Sequence, residues 1–242
     1  MVGTLTPNSV MLLASNNQKK LAEMQKRLEG TGVTVLTLKD MGMGQVPETG
    51  PTTAENASMK SSGAAAAVDL AAISEKAGKP VDKVVVVAED TGFEIPSLGG
   101  WPAHKYADLV DEKGSDAAAN QAILEALEGK TGDDRKAIFT STLAVTEVTA
   151  GAEPAKPVLF TAGAEGTVSE KPFGENGFGF DPIFGVTNNR GRVVGFAQID
   201  AAQKAELSPR PRAVDQMLAA VYPKADAAPT GPDHTRKFGN GQ

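Results

Sequence analysis

Five short clusters hold the residues of this chain that could do chemistry. The first is Ser15-Asn16-Asn17-Gln18-Lys19-Lys20, where an apolar run gives way to a helical pattern. Backbone N–H groups at a helix N-terminus are unpaired and attract anions. Ser15 and Asn17 add polar side chains. Lys20 puts a cation in the first turn, against the helix dipole, a conflict that a bound phosphate would relieve. The plainer alternative is a capping Ser15 or Asn17 beside a solvated lysine.

The second cluster is Glu48, then Asn56 and Lys60, which lie about one helical turn apart and share a face. A solvated polar face is the alternative. The third is Glu89-Asp90-Thr91-Gly92, directly after a β-branched run. Ligands of α/β sheets bind at the carboxyl ends of strands. Hard oxygen ligands from Asp90 and Glu48 would suit Mg²⁺, which keeps several waters and shares substrate phosphates. An ordinary acidic turn is the alternative. The fourth cluster is Gly174-Glu175-Asn176-Gly177-Phe178-Gly179-Phe180-Asp181-Pro182. Its glycines let backbone approach a ligand. Phe178 and Phe180 could offer a ring face to a base, unless both are tucked into the core. The strand-turn-helix context of a dinucleotide fingerprint is missing here. The fifth, Lys204, Ser208, Arg210 and Arg212, gathers cations at the entry of a last helix, where a solvated helix start is the alternative.

These clusters need elements to carry them. Residues 10–14 read as a buried strand. Leu21, Met24 and Leu28 recur at helical spacing, and Gly30 is the stop. Residues 33–38 read as a second strand and 39–51 as a loop. Thr52 and Glu55 form a capping-box pattern opening one long Ala-rich helix that ends near Gly78. Residues 83–88 read as a strand covered on both faces, with the acidic cluster at its end. A helix over 115–127, a hairpin of strands over 137–148 and 158–168, a glycine-dense loop over 170–182 and a helix over 211–221 complete the pattern. Strands alternate with helices before a hairpin, so the expected class is α/β with a mixed sheet. Residues 1–222 form the expected domain and the polar stretch 223–242 a poorly ordered extension.

Composition narrows the function classes. The chain has 242 residues, a net charge of −6 and no cysteine. The missing cysteines exclude disulfides, thiolate metal sites and a Cys nucleophile. The acidic balance argues against a duplex DNA or RNA partner but not against a nucleotide, since a few local cations suffice for one triphosphate. No apolar run approaches the roughly 20 residues a membrane span needs, and the first residues lack the layout of a signal peptide. The expected location is the cytoplasm. A P-loop is absent, and His104 and His234 stand alone, which argues against a histidine metal site or a Ser-His triad.

In their order along the chain the five clusters resemble the Ham1-like family of inosine/xanthosine triphosphate pyrophosphatases. That family opens with a strand and Thr/Ser-x-Asn-x-x-Lys, here residues 15–20. It continues with Glu-x-Gly-x-Thr and Glu-Asn-Ala-x-x-Lys, here Glu48 to Thr52 and Glu55-Asn56-Ala57 with Lys60. Its Asp-Asp-Ser-Gly and Leu-Gly-Gly-x-Pro correspond to Glu89-Asp90-Thr91-Gly92 and Leu98-Gly99-Gly100-Trp101-Pro102. Its Gly-Phe-Gly-Tyr-Asp-Pro-x-Phe corresponds to residues 177–184, and its closing Lys and Ser-His-Arg to Lys204 and Ser208-Pro209-Arg210. The match spans roughly residues 10–221.

The resemblance implies an elongated mixed sheet with two lobes and a substrate cleft between them, in a homodimer. It implies hydrolysis of ITP, dITP or XTP to the monophosphate and pyrophosphate with Mg²⁺. Asp90 would be the catalytic acidic residue, as base or metal ligand, and Glu48 would help hold the metal. Ser15, Asn17, Lys20, Lys60, Thr91 and Lys204 would hold the triphosphate, with Asn16, Gln18 and Lys19 in the same loop. Phe178 would stack on the base while Asp181 and Arg210 read its edge, with Gly179, Phe180 and Pro209 alongside.

Three departures stand out. Glu89 replaces an Asp. The segment after Pro102 is short and lacks Tyr-Ser-Ala-Arg, leaving Lys105 and Tyr106 to stand in. Pro209 replaces the His, and Pro211 disfavours helical dihedrals at Arg210, so the expectation is a helix that starts late and moves Arg210. Two other readings stay open: a pyrophosphatase of similar fold acting on other modified nucleotides, and a nucleotide-binding protein with weakened turnover.

Overall fold

The computed structural model describes residues 4–187 and 191–222. The extension expected over 223–242 lies outside them. Elements follow in the order β1 (Val10–Leu13), α1 (Gln18–Arg27), β2 (Thr34–Thr37), α2 (Thr53–Ala66), α3 (Leu70–Ala77), β3 (Lys83–Glu94), β4 (Pro102–Ala103), α4 (Tyr106–Lys113), α5 (Asp116–Ala126), β5 (Lys136–Thr149), β6 (Val158–Val168), β7 (Phe184–Thr187), β8 (Val193–Gly195), α6 (Ala201–Leu207) and α7 (Pro209–Val221). One mixed sheet runs β2-β1-β3-β5-β6-β7-β8, with β4 paired to β3. β1 is parallel to both neighbours, and the long β3, β5 and β6 are antiparallel. The α/β class and mixed sheet are as expected.

Three apolar clusters fix where the helices sit. Met11, Leu13, Val85 and Val87 turn to one face and pack with Met24 of α1, Leu28 just after it, and Val214 and Met217 of α7. Val10, Leu12, Val84, Val86 and Ala88 turn to the other face, against Ala64 and Ala65 of α2 and Ile73 of α3. This alternation is the two-residue period of a strand covered on both sides. Farther along, Phe93, Phe139, Phe184 and Phe196 build an aromatic cluster with Ile123 of α5 and Leu127 at its C-cap.

Four expectations need correction. The single long helix is two, because the Asp69 side chain accepts hydrogen bonds from Ala71 N and Ala72 N and starts a new helix. The segment 83–88 continues as a strand to Glu94, so Glu89 to Gly92 form no turn; they pair with β5. α6 was not foreseen, although Asp200 and Gln203 make a capping box. The last helix starts at Pro209, not near Pro211. A proline at the first helical position needs no N–H partner, and Pro211 is still within the first turn, where N–H groups have no intrahelical acceptor.

Candidate functional site

The site begins where β1 ends. β1 pairs with β3 from Val10↔Val84 to Leu13↔Val87, and Ala14 N then donates to Val87 O at 2.7 Å. β4 joins the same strand only at Phe93 and Glu94. Between them, among the described residues, β3 has a partner on the β5 side alone. Asp90 and Thr91 sit in this gap, beside the loop that leaves β1. The carboxyl-end argument therefore holds for β1, while the acidic pair lies within β3.

Consecutive strand residues point to opposite faces, so Glu89 and Asp90 serve different helices. Glu89 lies 3.4 Å from Lys20 Nζ of α1 and accepts a hydrogen bond from Arg210 Nε of α7 at 2.8 Å. Lys20 is thus paired rather than solvated. Arg210 also pairs with Glu23 of α1. The early helix start keeps Arg210 in the site, so the expected displacement by Pro211 does not occur. Burial pushes the Arg210 guanidinium down to about 10, still cationic at neutral pH. Pro209 is buried beside it.

On the other face Lys60 Nζ of α2 lies 3.0 Å from Asp90 Oδ1 and 3.0 Å from Glu48 Oε1. Asp90 is almost wholly buried, and its Oδ2 has no hydrogen-bond partner in the protein. Burial raises the Asp90 carboxyl above the usual range; Lys60 opposes this, and the neighbouring Glu48 carboxylate adds to it. Glu48 moves the other way: its burial is outweighed by the charge and hydrogen bond of Lys60. The loop carrying Glu48 is held by Asn56, whose Oδ1 accepts from Gly50 N at 2.8 Å. A Cβ on Gly50 would sit 2.9 Å from that oxygen, so the turn requires glycine. Asn56 and Lys60 share a helix face, as their spacing predicts, and Thr52 caps α2 as the capping box predicts.

The loop after β1 is shaped by its own polar side chains. Ser15 Oγ accepts from Asn17 N, and Asn17 Oδ1 accepts from Lys20 N, capping α1. Asn16 Oδ1 accepts from Lys39 N, and Gln18 Nε2 donates to Asn16 O. Lys19 lies on α1, and its side chain falls outside what is described. Asn16 therefore fastens this loop to the one after β2, and Gln18 braces it from within.

The glycine-dense loop divides its two aromatics. Phe180 stacks on Phe93 with ring centroids 4.1 Å apart and meets Phe139 and Tyr106 edge-on. Phe178 is 63% exposed. Of the two rings, Phe178 is the exposed one. Asp181 is buried; its Oδ2 accepts from Phe178 N at 2.8 Å and pairs with Lys204. Lys204 Nζ also lies 4.6 Å from the centroid of the Phe178 ring. The structure thus places Lys204 with the aromatic loop. Of the stand-ins, Tyr106 reaches this loop and Lys105 is an exposed residue before α4.

Sequence reasoning missed Glu23, Asp116 and Asn120. Glu23 follows Lys20 by one turn and shares its helix face. Asn120 is a polar residue on the buried stripe of Ala119, Ile123 and Leu124, a pattern that calls for a partner.

The Ham1 family model matches residues 11–220, most of the chain. The chain belongs to the Ham1 family. It is 34% identical over 223 residues to the dITP/XTP pyrophosphatase of Mycolicibacterium paratuberculosis, covering 90% of this chain and 98% of that one. It is 32% identical over 207 residues to the dITP/XTP pyrophosphatase of Coxiella burnetii, covering 86% and 94%. Among solved structures it is similar to the Ham1 protein of Staphylococcus aureus, with a TM-score of 0.70 at 29% identity, covering 88% of this chain and 97% of that one. The mixed sheet and its flanking helices are therefore those of a Ham1 protein, and the five clusters fall within the matched span.

Proposed function

We propose that this Ham1 protein hydrolyses deaminated purine nucleoside triphosphates (ITP, dITP and XTP) to the monophosphate and pyrophosphate, with Mg²⁺, and so cleanses the nucleotide pool. The observation that carries the reading is the buried Asp90, with one oxygen on Lys60 and the other unpartnered, in the gap beside β1. The names of its relatives point to the same activity.

The residues fit a hard divalent cation. Asp90 Oδ2 is a buried acceptor without a partner, and Glu48 lies beside it. Two carboxylates suffice for Mg²⁺, which completes its shell with waters and substrate phosphates. Asp90 and Glu48 would hold the ion, which when bound neutralises phosphate charge.

Phosphoryl transfer otherwise depends on positioning and electrostatics. Lys60 and Lys20 stand on opposite faces of β3 and bring positive charge to the triphosphate from both sides. Water attacks the α-phosphorus, the bond to the β-phosphate bridging oxygen breaks, and pyrophosphate leaves. Asp90 Oδ2 is the atom available to take the water's proton or to hold the ion. Burial shifts its protonation upward, the direction that makes a carboxylate a stronger base. Phe178 offers its ring to the base, and Arg210 supplies a buried cation at the base edge. A cytoplasmic homodimer with the nucleotide between two lobes completes the reading.

A panel of nucleoside triphosphates, with pyrophosphate and orthophosphate measured separately, tests it. Pyrophosphate release from ITP, dITP or XTP should far exceed release from ATP. Orthophosphate as sole product would place the cleavage elsewhere.

A further inference from the structure

The exposed ring proposed to stack on a base, Phe178, sits on a short loop. An exposed loop of glycines pays ordering entropy on binding unless something already holds it. Here the next residue is gripped from both sides. Asp116 Oδ2, at the first residue of α5, accepts a hydrogen bond from Gly179 N at 2.9 Å. Asn120 Nδ2, one turn later, donates to Gly179 O at 2.8 Å. Asn120 is itself fixed, being 3% exposed, with Oδ1 accepting from Tyr106 Oη at 2.9 Å. Gly179 has φ +63°, left-handed backbone that other residues rarely adopt. The clamp therefore holds an otherwise unfavourable turn, with Phe180 anchored in the core on its far side and Phe178 projecting on the near side.

We infer that Asp116 and Asn120 are specificity-positioning residues: through Gly179 they pre-set the Phe178 ring for the base. Neither touches the nucleotide. The inference rests on the proposed nucleotide reading of the loop and adds the part of the fold that sets its selectivity. Losing the grip leaves phosphate binding and hydrolysis intact and weakens recognition of the base. One hydrogen bond to a backbone N–H corresponds to about a five- to tenfold change in affinity.

The test compares Asp116→Ala, Asp116→Asn and Asn120→Asp with the parent chain. Asp116→Asn keeps an oxygen acceptor; Asn120→Asp keeps the acceptor for Tyr106 and loses the donor to Gly179. The readouts are ITP binding by calorimetry in EDTA, kcat and KM for ITP and GTP, and hydrogen exchange of the Gly179 amide. Asp116 is exposed, so its variants should fold, and thermal unfolding checks this. The expected result for Asp116→Ala is faster Gly179 exchange, about a five- to tenfold higher KM for ITP with kcat within about twofold, and reduced preference for ITP over GTP. Asp116→Asn should restore most of this, and Asn120→Asp should resemble Asp116→Ala. Unchanged KM and preference alongside faster Gly179 exchange would overturn the inference alone, as would a Gly179 amide that stays protected. A parent chain that neither binds nor cleaves ITP would overturn the proposed function and this inference with it.

Discussion

Replacing Asp90 by asparagine removes one charge from a buried site and keeps its shape. Three effects compete. The carboxylate loses its attraction to Lys60 at 3.0 Å, roughly 5–6 kcal/mol at an effective dielectric of about 20. It also loses the repulsion of the adjoining Glu48 carboxylate, a smaller effect than the attraction of Lys60. What remains is desolvation of a side chain only 7% exposed, a penalty of several kcal/mol for an ion. Asparagine can still accept from Lys60 and donate to Glu48. The net expectation is a gain of about 1–2 kcal/mol, or roughly 2–8 °C in Tm for a chain of this size. The repulsion relieved is with Glu48, since Glu89 points to the opposite face.

The pH dependence follows from the direction of the shift. A carboxyl that titrates higher in the folded chain than in the unfolded one favours folding when protonated. That advantage is present at acid pH and lost as pH rises through the folded value. The variant should therefore exceed the parent at neutral pH in EDTA, with the difference shrinking toward about pH 4. Turnover should fall by at least about 10²-fold, since a base or a metal-holding group is gone. Thermal unfolding from pH 4 to 8 and steady-state pyrophosphate release measure both. A variant less stable than the parent at pH 7 would show that the Lys60 attraction prevails over burial and refute the reasoning. Near-normal kcat would remove Asp90 from the chemistry.

Lys20→Ala and Lys60→Ala should each weaken triphosphate binding by about 1.5–3 kcal/mol, seen as a higher KM; unchanged KM in both would leave them as partners of Glu89, Glu48 and Asp90 only. Phe178→Ala should cost about 1–3 kcal/mol of base binding with Tm unchanged, whereas Phe180→Ala should cost about 3–5 kcal/mol of stability; calorimetry and thermal unfolding separate the two, and equal loss of stability would contradict the exposed position of Phe178. Pro211→Ala should leave Arg210 on Glu89 and the ITP preference intact, because α7 already begins at Pro209; a changed preference would restore a role for Pro211 in placing Arg210.

Much of the site was legible in the chain because its carriers are local. Residues 15–20 make their own cap, Thr52 and Glu55 their own capping box, and Asn56 and Lys60 meet on one helix face by spacing alone. The β-branched run 83–88 announces a strand covered on both sides for the same reason: its neighbours in sequence alternate between two cores. Where residues distant in sequence meet, these local rules stop. Whether Glu89 to Gly92 turn or extend depends on β5, whose hydrogen bonds carry the strand to Glu94. That extension sends Glu89 to Arg210 and Asp90 to Lys60, although the two acids are adjacent in the chain. Phe178 and Phe180 are equivalent by sequence, and only the pocket formed by Phe93, Phe139 and Tyr106 decides which is core and which is exposed. The chain alone set which residue types the site would contain, because capping, periodicity and charge are short-range properties. Tertiary packing decided which of them face one another, because a side chain's partner is set by the register of strands and helices many residues away.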